Sequence, residues 1–149
     1  MSELVVMRRV VAALFLFGSL GTAAELVLLE HTEGFWQKAP LALLAAGCGW
    51  LCLLVLRPGV AGIRVFQGLM TVFVASGIAG VVLHYQGNAE FERELNPEAA
   101  GIELFWESIQ GATPTLAPGT MILLGALGLT YTYRRPAATA RSETIASSA

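Results

Sequence analysis

The sequence predicts an all-α protein, an integral-membrane four-helix bundle with one extra amphipathic helix lying at the interface in its second extracytoplasmic loop. Three observations predict it. Four apolar runs, roughly 10–29, 39–56, 65–84 and 112–133, each have about the 18–20 residues a helix needs to cross some 30 Å of hydrocarbon. Charged residues make up 13% of the chain, about half the share of an average soluble domain, and mean hydropathy is +0.64. The basic residues are also sorted by position. Arg8, Arg9, Arg57, Arg64, Arg134, Arg135 and Arg141 fall on one side of an alternating four-span path, with only Lys38 and Arg93 on the other. The positive-inside rule makes the arginine-rich side cytoplasmic, so both termini are expected inside a plasma (inner) membrane of bacterial type. Glu30, Glu33, Glu90, Glu92, Glu94, Glu98, Glu103 and Glu107 then gather on the opposite, acidic face. All basic residues are read as loop residues.

The bundle is expected to occupy residues 1–135, which leaves no room within the 149 residues for a separate soluble catalytic domain. In the first span, Gly18, Gly21, Thr22 and Glu25 are three or four apart and form a small, polar stripe. Small residues let helices approach closely in lipid, where packing replaces the hydrophobic effect, so this stripe is expected to face the bundle. Arg8-Arg9 followed by an apolar stretch and Gly21-Thr22-Ala23-Ala24 also has the outline of a signal peptide, but the apolar character resumes at Leu26–Leu29 and favours a retained helix.

Phe35 and Trp36 in the first outer loop are natural interface anchors. Pro40 is placed at the start of the second span, where its missing N–H costs little. Cys48 and Cys52 lie four apart in that span and read as small packing residues. Arg57-Pro58-Gly59 stops the helix, and the short loop to Arg64 predicts that spans two and three pack as an antiparallel hairpin. In span three, Ser76 and Gly80 form a small-xxx-small seam, and Gln67 and Ser76 are expected to make interhelical hydrogen bonds. The second outer loop is read as running from Tyr85 to about Gly111. Within it, Asn96-Pro97-Glu98 predicts a helix start at about residue 97, with Asn96 as N-cap. Ile102, Phe105, Trp106 and Ile109 then give an amphipathic stripe through residue 110. That helix is expected to lie flat, apolar side down, against the mouth of the bundle. Span four has two candidate beginnings. A start near Thr113 leaves Pro118 as a kink, and a start near Pro118 leaves a helix of about 16 residues, short for a crossing. The Ala/Ser/Thr-rich residues 136–149 read as a disordered cytoplasmic tail. The two halves echo one another loosely, Glu30…Gly34…Pro40 against Glu107…Gly111…Pro118.

No nucleotide loop, zincin motif, nucleophile elbow or CxxC occurs. His31 and His84 fall at the outer ends of spans one and three, level with Glu25, Glu103 and Glu107. Imidazoles and carboxylates at one depth are a candidate divalent-metal or proton-relay group, although no pair has the spacing of a known ligand motif. Glu25 is the leading single candidate, because an acid inside a span is costly unless it has work to do. Gln67, Ser76 and the histidines also have a plain structural role as hydrogen-bonding side chains. The first functional expectation is a non-enzymatic accessory or interaction component, with the lipid bilayer and a membrane-protein partner or a second copy as partners and no nucleic acid. The second is a transporter or an ion- or metal-binding membrane protein with its site near Glu25 and His84. A membrane enzyme using Glu and His comes third, and no cofactor class follows from the residues.

Overall fold

The computed structural model describes residues 3–133, which form five α-helices and no strand: α1 (Glu3–Leu28), α2 (Phe35–Leu56), α3 (Val60–Leu95), α4 (Gly101–Gln110) and α5 (Gly119–Thr132). Of these, α1, α2 and α3 are long and apolar enough to cross a membrane, and α5 is a shorter apolar helix of 14 residues. Large apolar side chains such as Leu14, Phe17, Leu53, Val65, Ile78 and Leu123 stand exposed around the bundle. A soluble protein rarely exposes so much apolar surface, and a chain with this surface is suited to lipid. The expected tail at 136–149 lies outside the described residues, as do Arg134, Arg135 and Arg141.

α1, α2 and α3 are longer than their apolar runs, so several residues expected in loops are helical, whereas α5 is shorter than the 112–133 run. Arg8 and Arg9 ride on α1, Lys38 on the first turn of α2, and Arg64 and Arg93 on α3. Helix propensity rather than apolarity sets these ends, since Arg, Lys, Glu and Leu all favour the helix. Pro40 sits inside α2, in its second turn, rather than at its start.

α1 closes through paired backbone bonds. The Glu30 N–H donates to the Val27 carbonyl at 3.0 Å and the His31 N–H to the Leu26 carbonyl at 2.8 Å. This is a Schellman ending, and its left-handed position, usually glycine, is held by Glu30 at φ 54°.

The core face of α1 differs from the expected stripe. Phe15 and Ser19 are buried, with Ala12, Ala23 and Leu26 packed beside them. Gly18 does meet Leu124, but nothing lies within 4 Å of where a Gly21 side chain would begin, and Glu25 is exposed. The rotation follows from Phe15, whose ring lies 6.0 Å from both Phe66 and Phe73. These aromatic contacts have no equivalent on the glycine side.

α2 and α3 form an antiparallel pair: Trp50 Nε1 donates to the Gly62 carbonyl at 2.9 Å near the turn, and Gly47 meets Phe73 farther along. α5 runs antiparallel along α3 at close range. A Cβ on Gly77 would stand 2.9 Å from the Pro118 carbonyl oxygen, and one on Gly125 would stand 2.7 Å from the Met70 carbonyl oxygen. Because the obstacle is backbone in each case, no side-chain rotation relieves it, and only glycine permits this approach.

α3 has 36 residues, about 54 Å at the usual helical rise and far more than a bilayer core needs. It runs unbroken through 85–95, where the sequence reading placed a loop. Asn96-Pro97-Glu98 does not start the next helix. Asn96 caps the end of α3, its N–H bonded to the Glu92 carbonyl at 2.8 Å, and its side-chain Oδ1 accepts from the Glu98 N–H at 3.3 Å. The same asparagine chemistry that caps a helix start also builds an Asx turn, and here the turn prevails. α4 begins at Gly101 and spans 10 residues.

Candidate functional site

At the end of the bundle that carries His31 and His84, the fold makes one tightly built polar site, centred on Asn88 of the α3 extension. Asn88 is buried. Its Nδ2 donates to the Ser108 carbonyl at 2.9 Å, the Thr113 carbonyl at 2.7 Å and the Thr115 hydroxyl at 3.0 Å, while its Oδ1 accepts from the Thr113 N–H at 3.1 Å. Thr115 Oγ1 in turn donates to the Ser108 carbonyl at 3.0 Å, and Ser108 Oγ donates to the Leu104 carbonyl at 2.6 Å. With two amide hydrogens facing three acceptors, one hydrogen is shared, and the side chain is satisfied on both its faces. Gly111 lies so close that a Cβ there would come within 2.7 Å of Asn88 Cγ. The network ties three segments together: α3, the last turns of α4, and the 111–115 stretch that feeds α5. One turn back along α3, His84 Nδ1 meets the Pro114 carbonyl at 3.0 Å, which extends the clasp toward α5.

The clasp decides which way α4 faces. Leu104 and Ser108 are its buried residues. Ile102 is 79% exposed and Trp106 61% exposed, and at 3.6 residues per turn they lie roughly opposite the buried pair. The expected packing of the Ile102–Trp106 stripe against the bundle is therefore corrected. Phe105, at the edge of the stripe, reaches α3, its ring 5.9 Å from Tyr85, and Ile109 is half-buried. Hydrogen bonding overrides apolarity here: the buried amide of Asn88 needs partners, and the C-terminal carbonyl of Ser108 supplies one. Phe35 and Trp36, in the first turn of α2, are also exposed, with rings 5.5 Å apart.

Of the metal and proton candidates, the two histidines are neighbours. His31 and His84 come together, ring centroids 6.2 Å apart and edge-on, both half-buried. The Schellman ending of α1 places His31 there, and the α3 register places His84. Glu25 and Glu103 are exposed and Glu107 half-buried. Among the described residues, no group of three or more His, Cys, Asp or Glu side chains is positioned to hold a metal ion. Of the polar residues in α3, Gln67 Nε2 donates to the Thr132 hydroxyl of α5 at 3.2 Å. Ser76 is half-buried, and no hydrogen bond from its hydroxyl to another helix occurs among the described residues.

Sequence reasoning missed the Asn88–Ser108–Thr115 clasp because none of its members falls on a hydrophobic period. The available signal was compositional: Asn88, Ser108, Thr113 and Thr115 are uncharged polar residues in a stretch otherwise marked by Glu and aromatics. Comparison with protein-family models, curated proteins and solved structures finds no match to this chain.

Proposed function

We propose that the chain is a four-pass membrane protein with both ends cytoplasmic, acting as a non-enzymatic accessory or interaction component through its acidic, aromatic outer face. The observation that carries this reading is the outward stripe of α4. A helix whose inner face is clamped by a buried hydrogen-bond network, and whose opposite face presents Ile102 and Trp106, is held in place to offer those side chains to something else. Aromatic residues on a rigid support are the commonest anchors of protein interfaces. Around them the α3 extension exposes Glu90 and Glu94, and α4 exposes Glu103, which favours a partner with basic groups at the rim.

The fourth crossing draws support from register. From the Asn88–Thr113 bond at one end to the Gln67–Thr132 bond at the other, the 113–132 segment follows α3 over a stretch about 30 Å long at the helical rise, the thickness of the hydrocarbon core. The tight i→i+3 turns before α5, such as Ala117 N–H to the Pro114 carbonyl at 3.2 Å, lengthen the path of a short helix because each residue rises about 2.0 Å there rather than 1.5 Å.

Photo-crosslinking in intact membranes tests the interface. A photoreactive residue at Ile102 or Trp106 is expected to give one discrete protein adduct that disappears when the other position carries lysine. Adducts to lipid alone would defeat the interaction reading and make α4 a membrane-lying helix. The ion-binding alternative, near Glu25 and His84, is favoured by one observation, the His31–His84 ring pair. It predicts that Glu25→Gln and His84→Ala both abolish divalent-metal binding. Unchanged binding in Glu25→Gln would remove Glu25 from that account.

A further inference from the structure

At the opposite end of the bundle, where α1 meets α2 and α5, Val5, Arg8, Arg9, Ala12, Val55 and Tyr131 line an open groove of about 260 Å³. Its composition is split: two guanidinium groups on α1 beside an apolar wall shared by all three helices. Arg8 Nη2 donates to the Tyr133 carbonyl at 3.2 Å, which pins that guanidinium against the end of α5, and Arg9 brings a second positive charge to the same groove. Tyr131 is itself buried against Phe66, ring centroids 6.3 Å apart, so its wall is rigid. The volume falls below the ~300–1,000 Å³ of a drug-sized cavity. It has room for a small headgroup.

We propose that this groove seats the phosphate of an anionic phospholipid, its acyl chains continuing along Ala12 and Val55. The proposal rests on the reading that this arginine-bearing end lies at the cytoplasmic membrane surface. Guanidinium is matched to phosphate in charge and in planar donor geometry, and basic pockets between helices at that surface are suited to lipid headgroups. A zwitterionic headgroup would bring its ammonium against two arginines and is disfavoured. An anionic lipid gains from both charges and leaves its tails in hydrocarbon.

The test is native mass spectrometry of the full chain, delipidated in neutral detergent and titrated separately with phosphatidylglycerol, phosphatidylcholine and glycerol 3-phosphate. Phosphatidylglycerol is expected to bind more tightly than phosphatidylcholine. The double change Arg8→Gln/Arg9→Gln is expected to weaken it about thirtyfold, the combined effect of two surface arginines. Arg57→Gln/Arg64→Gln removes the same charge from residues outside the groove and is expected to leave binding unchanged. Equal losses in the two double variants, or no preference for the anionic lipid, would overturn the site. Effective competition by glycerol 3-phosphate would overturn the lipid assignment in favour of a free phosphate. Should the Arg8/Arg9 variant fail to insert, Val55→Trp fills the groove with both arginines kept, and undiminished lipid binding there would equally overturn the proposal. Because the assay runs in detergent, ends found on the wrong side of the membrane would contradict the four-pass topology and leave the lipid result standing.

Discussion

Asn88 is the residue on which the His31–His84 end of the molecule turns. Its side chain makes four hydrogen bonds, which tie α3 to two other segments, α4 and the 111–115 stretch. At about 1 kcal/mol net for each, Asn88→Ala is expected to cost roughly 3–4 kcal/mol and to free the amides of residues 101–115 to exchange. Unfolding in detergent, with hydrogen exchange over that stretch, measures both. Ser108→Ala removes only a bond to its own helix, Ser108 Oγ to the Leu104 carbonyl, and is expected to cost under about 1 kcal/mol. Equal losses in the two variants would mean that the clasp is not centred on Asn88. Ser19 offers the converse case. It is buried, and its hydroxyl has only the Cys48 thiol, a weak hydrogen-bonding group, beside it, so Ser19→Ala is expected to be neutral or stabilising by about 1 kcal/mol in the same assay. Glu30 occupies a left-handed position at φ 54°, so Glu30→Gly is expected to stabilise the end of α1 by about 1 kcal/mol. A clear loss would show that the glutamate side chain makes a compensating contact.

Among the elements, the α3–α5 pair holds the bundle together through backbone proximity. Gly77→Val and Gly125→Val place a branched side chain where carbonyl oxygens already stand within 2.9 Å of a Cβ position, and each is expected to destabilise by about 3 kcal/mol or more. Gly21→Val, on the open face of α1, is expected to leave stability unchanged, and thermal denaturation of the three variants in one detergent compares them directly. These two kinds of glycine look alike in sequence, and this marks how far sequence reading reached. Apolar run length located all three long helices, because crossing hydrocarbon demands it. The rotation of α1 was hidden because a small-residue stripe is attractive only if a neighbour fits it, and Phe15 found the better partner. The extension of α3 past His84 was hidden because solvated helix and solvated loop share the same polar composition. The facing of α4 was hidden because a buried amide thirteen residues before its first turn, not its own amphipathicity, orients it. The histidines were legible as two residues at one depth; their approach to 6.2 Å depended on the backbone ending of α1, which hydropathy does not register.

For the molecule as a whole, the account joins a lipid-embedded bundle to a rigid platform at one end and an arginine-lined groove at the other. Its central claim is that the 113–132 segment crosses the bilayer beside α3 although α5 itself has only 14 residues. If that segment entered and returned on one side, Tyr131 and Tyr133 would part from the groove at Arg8 and lie on the same side of the membrane as the platform at α4. The most direct measurement is side-specific labelling of single cysteines at Glu3, Glu94 and Tyr133, in a Cys48→Ala/Cys52→Ala background, with a membrane-impermeant maleimide. The account predicts that the cysteine at 94 reacts in intact cells, and that those at 3 and 133 react only after the membrane is opened. Reaction at 133 from the same side as 94 would contradict it.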